Sequence, residues 1–168
     1  MSLPNETSSF EWWHGDYFLS TDRDRLDLEV VHRFLAEESY WARGISPRLI
    51  RRAIDGSITV GVYHGASQVG FARIVTDCAR IAYLMDVFID AAHRGKGLGA
   101  SLATVIRDHP DLADVSRWLL ATRDAHSVYE RAGWHQVRQP EWLMEVTRTD
   151  AASQAVAGVA TEQGSYRG

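Results

Sequence analysis

A continuous apolar stretch that leads straight into a glycine-rich turn constrains the fold of this chain more than any other feature. Residues 81–89 read IAYLMDVFI and are apolar except at Asp86, which is typical of a central β-strand covered on both faces. Residues 93–101, HRGKGLGAS, follow almost at once. Four apolar residues then recur at helical spacing: Leu98, Leu102, Val105 and Ile106. The chain therefore passes from a buried strand through a sharp turn into a helix.

The segments on either side of this turn predict a single α/β domain with a mixed sheet over residues 10–148. Before the turn, the patterns indicate a short strand at 17–20, two helices capped by Asp27 and Ser46, and strands at 58–63 and 68–76 that form a meander with 81–89. After it they indicate a strand at 117–121, a helix at 125–132 and two closing strands at 134–137 and 142–146. Residues 1–9 and 149–168 are small and polar, and we expect flexible tails there.

Composition and charge limit the classes of partner. The 168 residues carry a net charge of -4, so binding to nucleic acid or to an anionic membrane is not expected. Cys78 is the only cysteine, which excludes an internal disulfide, and we expect no metal site. The sequence has no basic leader followed by an apolar segment and no apolar run of about 20 residues. We therefore expect a cytoplasmic protein that acts on a small partner.

The glycines of the turn favour a role in binding an anion. Glycine permits sharp turns and the close approach of a ligand to the backbone, and the first N–H groups of a helix have no partner within that helix. Arg94 and Lys96 would add positive charge, so a phosphate group fits best. The alternative is a tight strand-to-helix turn with solvated cations, and an isolated glycine cluster does not decide between the two.

Two common phosphate-binding patterns fit this turn less well. The P-loop needs four residues between its first glycine and a Gly-Lys-Ser/Thr, which is absent. Gly95, Gly97 and Ala100 satisfy the dinucleotide pattern G-x-G-x-x-A, but the strands before them read as antiparallel hairpins. The strand that follows, RWLLAT, also ends without the acidic residue that would hold a ribose. A nicotinamide-dependent enzyme is therefore disfavoured.

Two motifs lie at the junction before the third helix and around the last helix. Arg94, Gly97 and Gly99 form the first, Arg-x-x-Gly-x-Gly, and in the second Ala125 lies four residues before Tyr129 and is followed by Gly133 and Trp134. The first resembles the signature Arg/Gln-x-x-Gly-x-Gly/Ala of the GNAT superfamily of N-acetyltransferases, and the second resembles that superfamily's alanine, tyrosine and Gly-Phe hallmark, with tryptophan in place of phenylalanine. The resemblance covers roughly residues 17–146. It implies a GNAT fold, in which a mostly antiparallel sheet is splayed at its fourth and fifth strands and flanked by helices.

The resemblance also implies transfer of an acetyl group from acetyl-CoA, without a metal, to a primary amine of a small molecule or peptide. It leaves a homodimer open. The residues expected to contact acetyl-CoA lie on the apolar strand, in the glycine turn and before the last helix: Val87, Phe88, Ile89, Arg94, Gly95, Lys96, Gly97, Leu98, Gly99, Ala100 and Thr122. Thr122 stands where many members carry an asparagine.

Two residues are candidates for proton transfer. The resemblance implies that Tyr129 protonates the leaving thiolate, and the alternative is a buried tyrosine bound to the backbone. Asp86 is a candidate base, because a carboxylate within an apolar strand is costly unless it has a partner or a function. The alternative for Asp86 is an ion pair with Arg73 or Arg80. A local bulge could also change the face of the strand on which Asp86 lies.

The acceptor amine is expected beside the loop between the first two helices and the strand next to the apolar one. Five residues are candidates for that contact: Tyr40, Trp41, Arg43, Phe71 and Arg73. Exposed aromatic residues there could stack on a substrate, although core packing explains Trp41 equally well. A non-catalytic acyl-CoA-binding module is the alternative function, and the presence of Tyr129 favours the enzyme.

Overall fold

Six strands lie side by side in chain order in one sheet of the computed structural model, which describes residues 9–147. They are β1 (Glu11–His14), β2 (Tyr17–Ser20), β3 (Ile58–His64), β4 (Ser67–Thr76), β5 (Ile81–Ile89) and β6 (Arg117–Leu120). Neighbouring strands from β1 to β5 are antiparallel, whereas β5 and β6 are parallel. The prediction of a mixed sheet within an α/β fold is therefore confirmed.

The sheet opens between β5 and β6. These strands pair only from Ile81 opposite Arg117 to Leu84 opposite Leu120, and β5 then continues to Ile89 without β6 beside it. On its other side, β5 stays paired with β4 as far as Ile89 opposite Gly70, with a register shift between Phe71 and Arg73. The second half of β5 therefore has one free edge, as the predicted splay requires.

Four helices cover the two faces of the sheet. They are α1 (Leu28–Arg33), α2 (Pro47–Asp55), α3 (Leu98–Val105) and α4 (His126–Arg131). Asp27 caps α1 and Ser46 caps α2, each through a side-chain oxygen that accepts backbone N–H groups, as predicted. A five-residue π-helical turn, Phe34–Glu38, continues α1.

Alternate residues of the central strands face different helices. Phe71 and Phe88 pack with Val31, Leu35 and other residues of α1, its π-helical turn and α2. On the opposite face, Leu98, Leu102 and Ile106 pack against side chains from β3 to β5. Because both faces are covered, β5 has to be apolar along almost its whole length. The apolar run at residues 81–89, interrupted only by Asp86, reflects this coverage of both faces.

An N-terminal hairpin, β1–β2, extends the sheet by one strand beyond the predicted order. Trp12 packs partly against the core, but Trp13 is 73% exposed. Gly15, at φ +57, allows the tight connection between the two strands. The short strand predicted at 17–20 is confirmed as β2.

The two closing strands predicted at 134–137 and 142–146 are absent. The chain after Gly133 is irregular, with a 3-10 turn at Pro140–Trp142, and Trp142, Met144 and Val146 are exposed. An apolar, strand-like composition becomes a strand only when a partner edge pairs with it. The predicted tails, residues 1–9 and 149–168, lie outside the described residues apart from Ser9.

Candidate active site

A groove of about 1140 Å³ lies at the opening between β5 and β6. The free half of β5 forms its floor, and the glycine turn before α3 forms one end. Residues 38–41, between α1 and α2, line the opposite side, and α4 contributes Val128 and Tyr129. The groove therefore joins the motifs that the sequence singled out at three separate places in the chain.

The glycine turn presents a row of free backbone donors to this groove. Gly95 and Gly97 have φ values of +76 and +78, in the left-handed region that other residues adopt only with strain. Within the described part of the chain, the amides of residues 95–100 donate to no backbone carbonyl outside their helix, and their position at its start leaves none within it. Such a row of N–H groups, at the positive end of a helix dipole, favours a phosphate.

Gly99, the second glycine of the signature, is required for a different physical reason. A Cβ added at Gly99 would lie 3.1 Å from Cγ1 of Val128. Gly99 therefore lets α3 approach α4 closely, which places the residues of α4 beside the glycine turn. Arg94, at the start of the signature, donates from Nε to the carbonyl oxygen of Ile89 at 2.8 Å and so ties the turn to the end of β5.

Most of the predicted acetyl-CoA contacts line the groove. The set comprises Val87, Phe88, Ile89, Arg94, Gly95, Gly97, Leu98, Gly99, Ala100 and Thr122. Thr122 also accepts a hydrogen bond from the amide of Ala125 at 3.0 Å, so it shapes the start of α4. Lys96 is the exception, because its ammonium group donates to the hydroxyl of Tyr17 at 2.8 Å and does not line the groove. Lys96 was predicted to add positive charge at the rim of this site, and the structure places its ammonium group on Tyr17 instead.

Tyr129 lies on the groove side of α4. Burial, and secondarily the neighbouring Tyr40, raises the pKa of its hydroxyl from 10.0 to about 12. The hydroxyl therefore stays protonated at neutral pH, as a proton or hydrogen-bond donor must. Its ring packs edge-on against Trp134, with centroids 6.1 Å apart, which fixes its direction.

Asp86 lies at a bulge of β5 with φ +52, a left-handed conformation that is uncommon for a residue other than glycine. One carboxylate oxygen accepts from Nε of Arg73 at 2.5 Å, and the other accepts from Nε1 of Trp41 at 3.0 Å. The side chains of Arg73 and Asp86 are 12% and 10% exposed. Of the two interpretations that the sequence left open, the ion pair with Arg73 is therefore the one that the geometry favours.

Tyr40 and Trp41 line the groove, whereas the other predicted acceptor contacts do not. The hydroxyl of Tyr40 accepts from the amide of Arg123 at 3.1 Å, and the guanidinium of Arg123 lies 3.8 Å from the centre of the Tyr40 ring. The loop that contains Tyr40 and Trp41 therefore contacts β5 through the Trp41–Asp86 bond and contacts the segment after β6 through Arg123.

The structure corrects the predictions for Phe71, Arg73 and Arg43. Phe71 is fully buried in the core against Phe88, with ring centroids 6.2 Å apart, because the face of β4 on which it lies is covered by α1 and α2. Arg73 is held by Asp86 and by Ser57. Arg43 is exposed and does not line the groove.

Several groove residues were not found by sequence reasoning: Glu38, Tyr83, Met85, Arg123, Asp124 and Arg131. Tyr83 and Met85 alternate with buried residues of β5, but every residue from 81 to 85 is apolar, so the sequence shows no period of two that would have identified them. Glu38 ends the π-helical turn after α1, and no pattern distinguishes it from the exposed Glu37 beside it. Among the described residues, Glu38 takes part in no ion pair.

Comparison with known proteins agrees with this architecture. The family model of the GNAT acetyltransferase domain matches residues 27–146, and the chain therefore belongs to this family. A Gibberella zeae protein that its name assigns provisionally to the acetyltransferases is 28% identical over 166 residues, which cover 85% of this chain and 93% of that protein.

Solved structures show the same fold. A crystal structure of a Xanthomonas campestris protein, provisionally assigned as a GNAT acetyltransferase, is 41% identical with a TM-score of 0.75, and covers 79% of this chain and 93% of that chain. Glucosamine-6-phosphate N-acetyltransferase from Arabidopsis thaliana shares the fold at a TM-score of 0.55 and 15% identity, over 80% of this chain and 99% of that chain.

Within residues 9–147, no group of three or more histidine, cysteine or acidic side chains is arranged to hold a metal ion. No helix in that range has the length and apolar composition needed to cross a membrane.

Proposed function

We propose that this protein transfers an acetyl group from acetyl-CoA directly to a primary amine of a small molecule or peptide. One observation carries the proposal: a single groove joins the free amides of the glycine turn, the unpaired edge of β5 and the hydroxyl-bearing side chain of Tyr129. A pyrophosphate, an amide-containing arm and a thioester need these three environments in this order. Membership of the GNAT acetyltransferase family supports the same class of reaction.

The donor would bind through backbone groups. The amides of residues 95–100 would donate hydrogen bonds to the pyrophosphate oxygens, and Arg94 at the rim would add positive charge. Beyond Leu84, β5 has no β6 neighbour, so peptide groups around Val87 and Ile89 can pair with the amides of the pantetheine arm as a strand would. The thioester would then lie near the bulge at Asp86 and beneath Tyr129.

Tyr129 would act on the leaving sulfur. A neutral amine attacks the thioester carbonyl, the C–N bond forms and the C–S bond breaks, and the hydroxyl of Tyr129 donates to the departing thiolate. The new amide nitrogen then releases a proton, and this proton returns to the oxygen of Tyr129 in place of the one given to sulfur. A pKa near 12 makes complete transfer to a thiolate unfavourable until that second proton arrives, because thiols have a pKa of about 8.5. Hydrogen-bond donation in the transition state is therefore the main contribution that we assign to Tyr129.

Asp86 would hold the geometry of the bulge and not remove a proton. Both of its oxygens already accept bonds from Arg73 and Trp41. The acceptor would enter on the side of Tyr40, Trp41 and Glu38. Glu38, which has no ion-pair partner among the described residues, would attract the cationic form of the amine before it loses its proton to solvent.

Thiol release from acetyl-CoA tests this proposal across a panel of polyamines, amino acids, aminoglycosides and peptides with free N-termini. The expected result is acceptor-dependent thiol release, together with a mass increase of one acetyl group on the amine. Matched acceptors whose amine is already acetylated serve as controls and should release no thiol. Tight CoA binding without thiol release on any acceptor would instead favour the non-catalytic acyl-CoA-binding module.

A further inference from the structure

We propose that His14 and Tyr17, in the N-terminal hairpin, are positioning residues that hold the glycine turn in its phosphate-binding conformation. The inference rests on the proposed acetyl-CoA site. The hairpin, residues 11–20, lies before residues 27–146, which the family model matches. The hairpin therefore lies before the matched segment, whereas the turn that it contacts lies within that segment.

The hydroxyl group of Tyr17 bonds two side chains of the turn, those of His93 and Lys96. The hydroxyl oxygen of Tyr17 lies 2.9 Å from Nδ1 of His93 and 2.8 Å from Nζ of Lys96. An ammonium group can only donate, so the Tyr17 oxygen accepts from Lys96 and its own proton is free to bond His93. Residues 93 and 96 flank Arg94 and Gly95, whose conformation these two bonds restrict.

The hairpin also supports the turn from outside. Nε2 of His14 lies 3.0 Å from the carbonyl oxygen of Lys96 and, because a carbonyl only accepts, His14 donates this bond. The same ring lies against Gly97, where an added Cβ would be 3.6 Å from Nε2. The end of β1 is thus in contact with the turn, and residues 95 and 97–100 of the same turn line the groove.

Tyr17 is itself held in place by the sheet. Tyr17 is 6% exposed, and its strand pairs with β1 on one side and β3 on the other. The left-handed glycines at 95 and 97 leave the turn with more conformational freedom than other residues would. A turn that is already held in one conformation loses less freedom when a ligand binds, so it binds more tightly.

The contact with Tyr17 also determines where the positive charge of Lys96 lies. Its ammonium group is held on Tyr17, 5.4 Å from the centre of the ring, and does not line the groove. Lys96 therefore contributes to CoA affinity through Tyr17, whereas the sequence predicted that it adds positive charge beside the phosphate. A double-mutant cycle separates these roles, because two residues that act through one bond give non-additive effects.

The test measures CoA affinity by calorimetry for Tyr17→Phe, Lys96→Met and the double variant. Lys96→Met removes one of the two bonds of the Tyr17 hydroxyl and should weaken binding by about three- to tenfold, the value of one hydrogen bond. Tyr17→Phe removes both bonds and should weaken binding at least as much, and the double variant should lose no more than Tyr17→Phe alone. Tyr63→Phe is the matched control, since Tyr63 is a buried tyrosine on β3 whose hydroxyl has no partner among the described residues. It should bind CoA as the wild type does.

Two further readouts distinguish positioning from mere stabilisation. His14→Gln, which keeps an N–H donor, should retain more affinity than His14→Ala. With the first accepted amine, Tyr17→Phe should raise the KM for acetyl-CoA and leave kcat and the acceptor KM unchanged.

Three results would overturn the inference. Tyr17→Phe could bind CoA as the wild type does, even with a lowered unfolding temperature. The losses of Tyr17→Phe and Lys96→Met could add, which would place Lys96 on the phosphates. His14→Ala could bind CoA with the affinity of the wild type. Absence of CoA binding by the wild type is a separate outcome, which would overturn the proposed function itself.

Discussion

Burial and hydrogen bonding separate the roles of the two candidate proton-transfer residues, Tyr129 and Asp86. The hydroxyl of Tyr129 lies in a half-buried environment that keeps it protonated. The carboxylate of Asp86 accepts two charge-assisted or polar bonds, from Arg73 and Trp41. A group that keeps its proton can donate it, and a carboxylate whose oxygens are occupied serves better to hold its neighbours.

Tyr129→Phe should lower kcat by about 10- to 100-fold, at the low end of the range for general acids, because a thiolate is a good leaving group. The ring and its contact with Trp134 remain, so CoA affinity should stay within about twofold of wild type. Turnover between pH 6 and pH 10, measured with calorimetric CoA affinity, checks both parts. Tyr63→Phe serves as control, and wild-type turnover of Tyr129→Phe at every pH would remove Tyr129 from the mechanism.

Substitutions at Asp86 separate its backbone strain from its charge. Asp86→Gly and Asp86→Ala both leave the guanidinium of Arg73 without its partner, so each should lose about 3–5 kcal/mol of unfolding free energy. Alanine should be the less stable by about 0.5–1 kcal/mol, because φ +52 costs it more than glycine's flexibility costs. Urea denaturation measures the difference, and the reverse order would show that the left-handed conformation stores no strain.

The activity of Asp86→Asn tests the same residue by pH. Asparagine tolerates the left-handed region and keeps one acceptor oxygen. If Asp86 holds the bulge, the fractional loss of turnover should be the same from pH 6 to pH 10. A loss confined to pH values below the pKa of the acceptor amine would instead restore Asp86 as the base.

Two buried tyrosines predict a loss of stability in alkali. Burial raises the pKa of both Tyr63 and Tyr129 from 10.0 to about 12. Because the folded state keeps protons that the unfolded state releases, this contribution to stability is complete below about pH 10 and falls as the pH approaches 12. The urea midpoint should therefore fall over this range, and less steeply in the Tyr63→Phe, Tyr129→Phe double variant. Equal slopes in the two proteins would contradict the assignment.

At the scale of secondary-structure elements, the glycine turn is the part whose backbone conformation would decide the binding of the proposed acetyl-CoA. Gly97→Val should destabilise the fold by about 1–3 kcal/mol, since φ +78 is a strained conformation for a branched residue. It should also displace the free amides and weaken CoA binding by more than tenfold.

Gly65 offers a matched control for this substitution. It lies in the β3–β4 turn at φ +58, has no atom within 4 Å of an added Cβ, and does not line the groove. Gly65→Val should therefore lose a similar amount of stability and keep wild-type CoA affinity. Calorimetry and urea denaturation of both variants decide the matter, and equal CoA affinity in the two would show that the turn does not bind the phosphates.

Sequence patterns predicted the elements whose own residues carry the relevant signal. The caps Asp27 and Ser46 are confirmed, because capping depends on a side chain and amides two or three residues away. The prediction of a strand at 142–146 was wrong, since a strand forms only where the edge of another strand, distant in sequence, pairs with it, and composition does not report such pairing. The hairpin strand at 11–14 escaped prediction for the same reason.

The site was predictable to the extent that it consists of contiguous motifs. Gly95 and Gly97 were identified by the type of residue that a left-handed turn needs. The bonds that take Lys96 and Arg73 away from the groove, to Tyr17 and Asp86, cross 79 and 13 residues of sequence. No local pattern reports such contacts, and they decide which predicted residues can touch a ligand.

At the scale of the whole molecule, one ligand would contact several parts of the fold at the same time. β5 and β6 separate after Leu84 and Leu120, and the groove between them is bounded by α3, α4 and the loop from residue 38 to 41. A molecule that fills this opening adds contacts to both sides at once. Binding should therefore appear as a gain in global stability.

Acetyl-CoA should raise the unfolding temperature, whereas NAD should not. At 100 times its dissociation constant, a ligand that binds only the folded state adds about 2.7 kcal/mol, which for a chain of this size corresponds to a shift of about 5–10 °C. NAD offers a pyrophosphate without a pantetheine arm, so it would lack the contacts along β5. Dye-monitored thermal unfolding with equal concentrations of the two ligands measures the difference. If NAD raised the midpoint and acetyl-CoA did not, the groove would be a dinucleotide site and the proposed acetyl transfer would be wrong. If acetyl-CoA alone raised it in the wild type but not in Gly97→Val, the stabilisation would be traced to the glycine turn.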